Sequence, residues 1–347
     1  MDVDARVQAC LSVAEECIKV DELKTLFEQK QSPVCYDGFE PSGRMHIAQG
    51  IMKAIIVNKL TSAGCKFVFW VADWFAMLNN KLDGDLEKIR TVGEYMIEIW
   101  KACGMNLDAV TFKWSSEEIN AQPDKYWMLV MDIARHNNLP RILRCATIMG
   151  RKETDDLATS QVFYPCMQCA DIFFLEADIC QLGMDQRKVN MLAREYCDIK
   201  GIKKKPVILS HHMIKGLKQG QEKMSKSDPD SAIFMEDTEE DVNKKIRKAY
   251  CPPNIVADNP CMDYFQHIIF RAKDEVVIEC YGGEPRRYTS FACFANDYEN
   301  GILHPGDVKK SLALLINELI EPVRTHFREN ENAKRLLESV RSFKITK

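Results

Sequence analysis

The sequence predicts a doubly wound α/β domain that contains a helical insertion and is followed by an α-helical region. Residues 66–72 form a continuous apolar run rich in β-branched and aromatic residues, which is typical of a strand buried in a parallel sheet. Strand-like and helix-like segments alternate from residue 33 to residue 112, as doubly wound domains require. After residue 239 the pattern is helical and is broken by Pro and Gly turns, which favours a small helical bundle.

The first predicted strand covers residues 33–36 and leads into a turn rich in glycine. Gly38 and Gly43 lie in this turn, and an apolar helical pattern begins at Ile47. A strand, a glycine turn and a helix in this order direct the unpaired N–H groups of the helix, and the positive end of its dipole, at an anion above the turn. His46, in the first helical turn, donates to the same anion. This stretch therefore predicts an anion site.

The next predicted elements complete the alternating pattern. They are a strand at 66–72, a helix at 85–103 with Asp85 near its N-terminus, and a strand at 110–112. Ligands of such sheets bind beyond the carboxyl ends of the strands, where the strand order reverses, and Tyr36 lies at that edge. Residues 123–153 are rich in helix formers and predict a helical insertion.

A further helix is predicted to open at Pro165, because proline is favoured in the first helical turn. Tyr164, Gln168 and Asp171 are spaced by four and three residues, so they share one helical face. A polar face is ordinarily exposed to water. The apolar residues 172–175 demand burial instead, and a second polar cluster at 183–188, which contains Gln186, follows closely.

Residues 221–229 form a cationic loop that contains two lysines and two serines. Gly220 precedes the loop and Pro229 ends it, so a helix is disfavoured. Short runs of this kind are mostly solvated linkers. Their alternative use is to bind a polyphosphate through the ammonium groups, the hydroxyls and the backbone N–H groups.

The order of residues in this loop is specific. Residues 223–227 read Lys-Met-Ser-Lys-Ser and resemble the signature of class I aminoacyl-tRNA synthetases at all five positions. Residues 46–49 resemble the family's His-Ile-Gly-His element, with Ala48 and Gln49 replacing its glycine and second histidine. With the polar cluster at 164–171, residues 36–327 resemble tyrosyl-tRNA synthetases of the archaeal and eukaryotic type. Phe75 departs from them, since many relatives have a histidine there.

The resemblance implies roles for individual residues in the activation of L-tyrosine by ATP and in its transfer to tRNA(Tyr). For tyrosine, it implies that the phenolic hydroxyl meets Tyr36 and Asp171, and that the ammonium and carboxylate meet Tyr164, Gln168 and Gln186. The catalytic residues would be His46, Gln49, Lys223 and Lys226. The site for ATP with Mg²⁺ would comprise Gly38, Gly43, His46, Gln49, Gly50, Lys223, Met224, Ser225 and Lys226. The tRNA-binding residues would be Arg144, Arg187, Tyr281, His304 and Asp307.

The resemblance also implies a domain division and an assembly. Residues 1–32 would form an N-terminal helical segment, residues 33–232 a Rossmann-like catalytic domain, and residues 233–347 an α-helical anticodon-binding domain. The insertion at about 123–153 corresponds to the connective segment through which the tyrosyl and tryptophanyl enzymes form homodimers. No insertion is long enough for a separate editing domain.

Composition sets the remaining expectations. The chain has 14 cysteines without a framework spacing and no long apolar run, so we expect a cytoplasmic protein with reduced thiols and no membrane association. Cys166 and Cys169 have no second ligand pair nearby, so we expect no structural metal. Three alternatives remain open: a tryptophanyl-tRNA synthetase, because residues 227–229 and 232–234 also resemble that enzyme, a catalytically silent tRNA-binding paralogue, and a non-aminoacylating nucleotidyltransferase.

Overall fold

The computed structural model describes residues 1–151, 155–222, 224 and 228–344. The described residues contain a six-stranded sheet formed by β1 (Glu16–Ile18), β2 (Val34–Phe39), β3 (Lys66–Val71), β4 (Val110–Trp114), β5 (Ile179–Cys180) and β6 (Val207–Ser210). The strand order is β1-β6-β5-β2-β3-β4, and every pair is parallel except β1 with β6. The order reverses at β2, which confirms the predicted doubly wound fold.

Helices cover both faces of this sheet. They are α1 (Val3–Leu11), α2 (Val20–Gln29), α3 (Lys53–Ser62), α4 (Asp73–Leu78), α5 (Leu86–Ala102), α6 (Ser115–Ala121), α7 (Pro123–Arg135), α8 (Leu139–Leu143), α9 (Thr159–Phe174) and α10 (Arg187–Lys200). Alternate strand residues enter two separate apolar cores, with Phe67 and Phe69 on one side and Tyr36 and Trp70 on the other. The sheet is therefore buried on both faces, as its continuous apolar strands predict.

The N-terminal segment is not purely helical, contrary to prediction. Its strand β1 extends the sheet at one edge, where the Glu15 N–H donates to the Ser210 carbonyl at 2.8 Å. Three residues are too few to show a period of two, so only the pairing with β6 reveals this strand. By contrast, Asp85 caps α5 as predicted, because its carboxylate accepts the N–H groups of Glu87 and Lys88 at 3.1 and 3.2 Å.

The prediction that Pro165 opens a helix is wrong. Helix α9 begins at Thr159 and Pro165 lies inside it. The side chain of Gln161 reaches back to the N–H of Ala158 at 3.1 Å and so supports an earlier start. An interior proline costs about 3 kcal/mol or more, which the nearly complete burial of α9 offsets. The phase of the helix is unaffected, and the predicted polar face survives.

The C-terminal region is mostly helical, as predicted, and includes a small hairpin that was not. Its elements are α11 (Glu239–Lys248), α12 (Pro260–Tyr264), α13 (Phe270–Ala272), β7 (Val276–Ile278), β8 (Arg286–Tyr288), α14 (Phe291–Glu299), α15 (Pro305–Glu329) and α16 (Glu331–Ser342). It packs on α5, where the rings of Tyr95 and Phe327 lie 5.6 Å apart. One apolar core joins both regions, so a boundary at 232/233 remains a proposal. None of the described helices is long and apolar enough to cross a membrane.

His212 connects three segments of the fold. It follows β6, and its two ring nitrogens lie 2.8 Å from Glu15 and 2.8 Å from Asp263. Its ring stacks on His267 with the centroids 3.9 Å apart and the planes at 15°. With Asp263, the two histidines bring one possible ligand atom each within 4.8 Å of one another, a spacing that could hold a metal ion, but their nearly parallel rings direct their lone pairs along parallel planes. The arrangement instead places the ring of His212 between two carboxylates, each of which can accept one N–H of a protonated imidazole.

The pKa of His212 follows from these neighbours. Burial disfavours the charged imidazolium, but the carboxylates of Asp263 and Glu15 outweigh it and raise the pKa of His212 above its usual 6.5. Burial lowers the pKa of the stacked His267 to about 4, with the charges of His212 and Arg271 acting in the same direction. Of the two rings, His212 is therefore the one that holds a proton to the higher pH.

We expect stability to fall as pH rises through the pKa of folded His212. A pKa above the unfolded value gives a stabilisation that is complete below the unfolded pKa and is lost above the folded one. The difference between the urea unfolding midpoints of the wild type and His212→Gln, followed upward from about pH 6, measures this, because the other histidines and the cysteines titrate in both proteins. His212→Gln should flatten that part of the profile. Equal slopes for the two proteins would contradict the assignment.

Candidate active site

A cavity of about 340 Å³ opens at the carboxyl ends of β2 and β5. This volume lies within the range of about 300–1,000 Å³ that is usual for small-molecule sites. The predicted residues that line it are Tyr36, Gly38, His46, Gln49, Tyr164, Gln168, Asp171, Gln186 and Met224. Thus the predicted tyrosine residues and most described members of the predicted ATP site face one cavity. Three further residues predicted for the ATP site lie outside the described residues: Lys223, Ser225 and Lys226.

Asp171 is a buried carboxylate in the wall of this cavity. The hydroxyl of Tyr126 donates to its Oδ1 at 2.8 Å, whereas its buried Oδ2 has the Trp70 indole N–H nearby but no well-formed hydrogen bond among the described residues. Burial raises the pKa of Asp171 well above its usual value. Burial raises the pKa of Tyr36, and the negative charge of Asp171 raises it further. The two groups therefore lie close together. An acceptor without a well-formed hydrogen bond here suits a ligand hydroxyl.

Two polar networks hold the other side chains of the α9 face. The Tyr164 hydroxyl donates to Glu40 at 2.8 Å, and the Asn79 amide donates to the same carboxylate at 3.0 and 3.2 Å. Gln168 donates to Gln186 at 3.1 Å, and its own Oε1 is buried without a partner among the described residues. Glu40 lines the cavity and was missed. Its position two residues after Gly38, in the same turn, was the available signal.

Phe75 lines the cavity and shapes its wall. Its ring meets that of Tyr164 edge to face, with 5.0 Å between the centroids. Asp73, at the start of the same helix, does not line the cavity. It accepts hydrogen bonds from the hydroxyls of Ser115 and Ser116, which fixes the N-terminus of α4. Phe75 thus contributes an apolar surface to the cavity wall.

The predicted anion site is built differently from an ordinary helix start. Residues Ala48–Met52 form a π-helical turn that leads into α3. The indole of Trp100 donates to the Gln49 carbonyl at 2.9 Å, and the buried Oε1 of Gln49 has no partner among the described residues. Turns of this kind occur frequently at functional sites. The side chains of His46 and Gln49 thereby face the cavity.

A short β-bridge joins this turn to the segment that follows the cationic loop at residues 221–229. The Ile47 N–H donates to the Ile233 carbonyl at 2.8 Å, and the Met235 N–H donates to the Met45 carbonyl at 2.9 Å. Gly50 is pressed against this bridge, since a Cβ there would lie 2.3 Å from the sulfur of Met235. Gly50 and Gly43 do not line the cavity. Gly38 does, and a Cβ there would approach the Tyr36 hydroxyl at 3.2 Å.

Buried charges reinforce the bridge. The guanidinium of Arg44 pairs with Glu236 and lies 3.0 Å from Asp237. It also lies over the ring of Phe234, 4.2 Å from the centroid. Lys245 of α11 completes the group 2.5 Å from Asp237. Breaking a buried pair of this kind costs about 3–5 kcal/mol, so the two segments are firmly held together.

The predicted tRNA-binding residues lie outside the cavity. Arg144 is exposed after α8, and Arg187 is exposed and pairs with Glu16 at 2.8 Å. Tyr281 is 98% exposed in the turn between β7 and β8. The ring of His304 accepts the Gly306 N–H at 3.0 Å and so caps α15, whose first turn contains Asp307. The structure therefore separates these residues into an α8–α10 group and a C-terminal group.

The sequence and the fold were compared with known proteins. The family model for class I tRNA synthetases of the W and Y type matches residues 28–321. Tyrosine–tRNA ligase 1, cytoplasmic, from Arabidopsis thaliana is 63% identical over 349 residues, which cover 100% of this chain and 90% of that protein.

Solved structures agree with the sequence comparison. The tyrosyl-tRNA synthetase of Leishmania major in complex with tyrosinol is 55% identical, with a TM-score of 0.94 over 99% of this chain. The present chain spans 61% of that Leishmania chain. The tyrosyl-tRNA synthetase of Pyrococcus horikoshii complexed with L-tyrosine is 34% identical, with a TM-score of 0.91, and the match covers 98% of this chain and 100% of that one.

We expect Gly50→Ala to destabilise the protein through the bridge. The added Cβ must displace the fully buried side chain of Met235, at a cost of about 1–3 kcal/mol. Gly283→Ala is the control, because its nearest neighbour would be 3.7 Å away. Urea unfolding measures both variants. In a double-mutant cycle, Met235→Ala should relieve part of the cost of Gly50→Ala, whereas strict additivity would show that the contact does not matter.

Proposed function

Because the chain belongs to the class I tRNA synthetases of the tryptophanyl and tyrosyl type, we propose that it activates L-tyrosine with ATP and transfers the tyrosyl group to tRNA(Tyr). The family that residues 46–49 and 223–227 indicate is confirmed by the matching family model and relatives. The single observation that carries the choice of a side chain with a donor over phenylalanine is the carboxylate of Asp171, buried beside Tyr36 with one oxygen lacking a well-formed hydrogen bond, and the relatives favour tyrosine over tryptophan.

Selection of tyrosine follows from the cost of unpaired polar groups. A phenolic hydroxyl placed between Tyr36 and Asp171 gives the buried oxygen a donor. Phenylalanine would fill the same volume and leave that oxygen unsatisfied, which costs free energy that phenylalanine cannot recover. An indole N–H is also a donor, so tryptophan is the closest competitor. Tyr164 with Glu40, and Gln168 with Gln186, then address the ammonium and carboxylate.

Activation requires positioning and charge stabilisation rather than a catalytic base. The tyrosine carboxylate is already the nucleophile that attacks the α-phosphorus of ATP as pyrophosphate leaves. His46 and Gln49 would stabilise the developing phosphate charge from the helix tip, and Lys223 and Lys226, which lie outside the described residues, from the opposite loop. Mg²⁺ enters with ATP as part of the substrate and shields its phosphates. The bridge from Met45 to Met235 fixes the helix tip against the end of that loop.

Recognition of tRNA would use the two residue groups outside the cavity. A tyrosine as exposed as Tyr281 is suited to stack on an unpaired base of an anticodon loop. The Glu279 N–H donates to the Ser311 hydroxyl at 3.2 Å and brings the Tyr281 turn to the start of α15, near His304 and Asp307. Arg144 and Arg187 would contact the acceptor stem. This translational role implies a cytoplasmic location.

We expect tyrosine-dependent exchange of labelled pyrophosphate into ATP. Lys226→Ala should retain tyrosine binding and slow this exchange about a hundredfold or more, because a donor to the developing charge is lost. Lys24→Ala, an exposed lysine paired with Asp4, is the control and should exchange normally.

Other results would favour the alternatives. Exchange with tryptophan in preference to tyrosine would identify the competing synthetase. Exchange without any amino acid would indicate a nucleotidyltransferase, and tRNA binding without exchange a silent paralogue. Near-normal exchange by Lys226→Ala would contradict the role of the loop.

A homodimer is proposed from an exposed apolar surface on the insertion. This surface lies on the neighbouring helices α7, α8 and α9 and consists of Trp127, Met128, Met131, Leu139 and Phe163, which are 37–61% exposed. Several large exposed apolar side chains on helices that pack together favour a protein interface. The family resemblance of residues 123–153 supports a second copy of the chain as the partner.

We expect Met131→Glu to dissociate this dimer, because a carboxylate would lose its hydration in the interface. Leu314→Glu is the matched control, since Leu314 is 47% exposed on α15 in the C-terminal region. Sedimentation at micromolar concentration should give two chains per particle for the wild type and the control, and one for Met131→Glu. One chain per particle in the wild type would refute the proposal.

A further inference from the structure

Lys53 is a buried lysine in the cavity wall to which the sequence assigned no role. It begins α3, directly after the π-helical turn, and is 5% exposed. Its ammonium lies 2.6 Å from Asp37 and 2.9 Å from the Gln181 Oε1. A third neighbour is the Nδ1 of His211 at 3.4 Å. Two of the three donors of the ammonium are thus directed at protein acceptors, whereas the Nδ1 of His211 already accepts from the Gln181 amide at 2.9 Å and is at most a shared partner for the third.

These partners come from three neighbouring strands. Asp37 is in β2, Gln181 follows β5 and His211 follows β6, so Lys53 ties the carboxyl ends of the three strands at the point where strand order reverses. Asp37, Lys53 and His211 all line the cavity. Burial lowers the pKa of His211 well below its usual value, and the charge of Lys53 adds to this effect. His211 is therefore neutral, and the local charge comes from Lys53 and Asp37.

The two charges depend on each other. Burial raises the pKa of Asp37, and the nearby ammonium opposes that effect. Burial lowers the pKa of Lys53, and the carboxylate opposes it in turn. Asp185, also in the cavity lining, adds a second carboxylate that acts on both groups. Without Lys53, the lining of the cavity proposed to take ATP would lose the positive charge that opposes Asp37 and Asp185.

We propose that Lys53 is a positioning residue for the nucleotide: it neutralises Asp37 and thereby allows the anionic phosphates of ATP to enter this cavity. The inference rests on the proposed use of ATP. Its alternative is a purely structural tie between strands, which would make any break in the pair equally harmful. The two explanations predict different changes in MgATP affinity. Under the electrostatic explanation, removal of the positive group and removal of the negative group act in opposite directions, whereas under the structural explanation both weaken binding.

The test measures the Kd of MgATP by calorimetry and the KM for ATP in pyrophosphate exchange. Lys53→Met should weaken MgATP binding about tenfold, the order expected from one unit charge about 10 Å away at an effective dielectric constant of about 20. Asp37→Asn should leave the positive charge and tighten binding or preserve it. The double variant Asp37→Asn/Lys53→Met, which is neutral like the wild-type pair, should return close to the wild-type Kd.

A matched control is the pair Arg194 and Glu22, 2.7 Å apart and remote from the cavity lining. Arg194→Met should lower stability without changing the Kd of MgATP. Equal weakening by Lys53→Met and Asp37→Asn, or a double variant no better than Lys53→Met, would overturn the inference. If Asp37→Asn does not fold, the comparison of Lys53→Met with the double variant still decides. Wild-type protein that binds MgATP but exchanges no pyrophosphate with tyrosine would refute the proposed function alone, since the Kd values judge Lys53 separately.

Discussion

The site depends on the bridge between Met45–Ile47 and Ile233–Met235. Two backbone hydrogen bonds of 2.8 and 2.9 Å join segments that are almost 190 residues apart in sequence. Closing so long a loop has an entropic cost, which the burial of Gly50 against Met235 and the Arg44 ion pairs offset. The consequence is geometric: the turn that carries His46 and the segment Ile233–Met235, which follows the cationic loop, are held on one frame.

The sequence predicted those parts of the molecule that local patterns specify. The buried strands, the cap at Asp85 and the shared face of Tyr164, Gln168 and Asp171 all follow from spacing within a few residues. Strand β1, the β7–β8 hairpin and the true start of α9 were missed because distant partners or a single side chain determine them. The contacts of Lys53 belong to the same class, since its partners are on three strands.

The amino-acid end of the cavity is costly to keep empty. Asp171 and Gln168 each present a buried oxygen without a well-formed hydrogen bond from the described residues, and such an atom costs about 1–3 kcal/mol wherever neither water nor a ligand supplies a donor. A core optimised for stability alone would have avoided these groups. A ligand with donors at the right positions removes the cost on binding, and a ligand without them does not. The same unsatisfied atoms that weaken the free protein therefore give the site its discrimination.

The cavity must also accept an anionic nucleotide although carboxylates line it. Asp185 is one of four acids in its lining, and the other three have different surroundings: burial raises the pKa of Asp171, Tyr164 and Asn79 donate to Glu40, and Lys53 pairs with Asp37. Of these, only the third supplies a full opposite charge. Hydrogen bonds spread a negative charge without cancelling it, whereas an ammonium at 2.6 Å cancels most of its field at a distance. The lysine at the start of α3 is thus the element that makes a carboxylate-lined cavity compatible with a triphosphate.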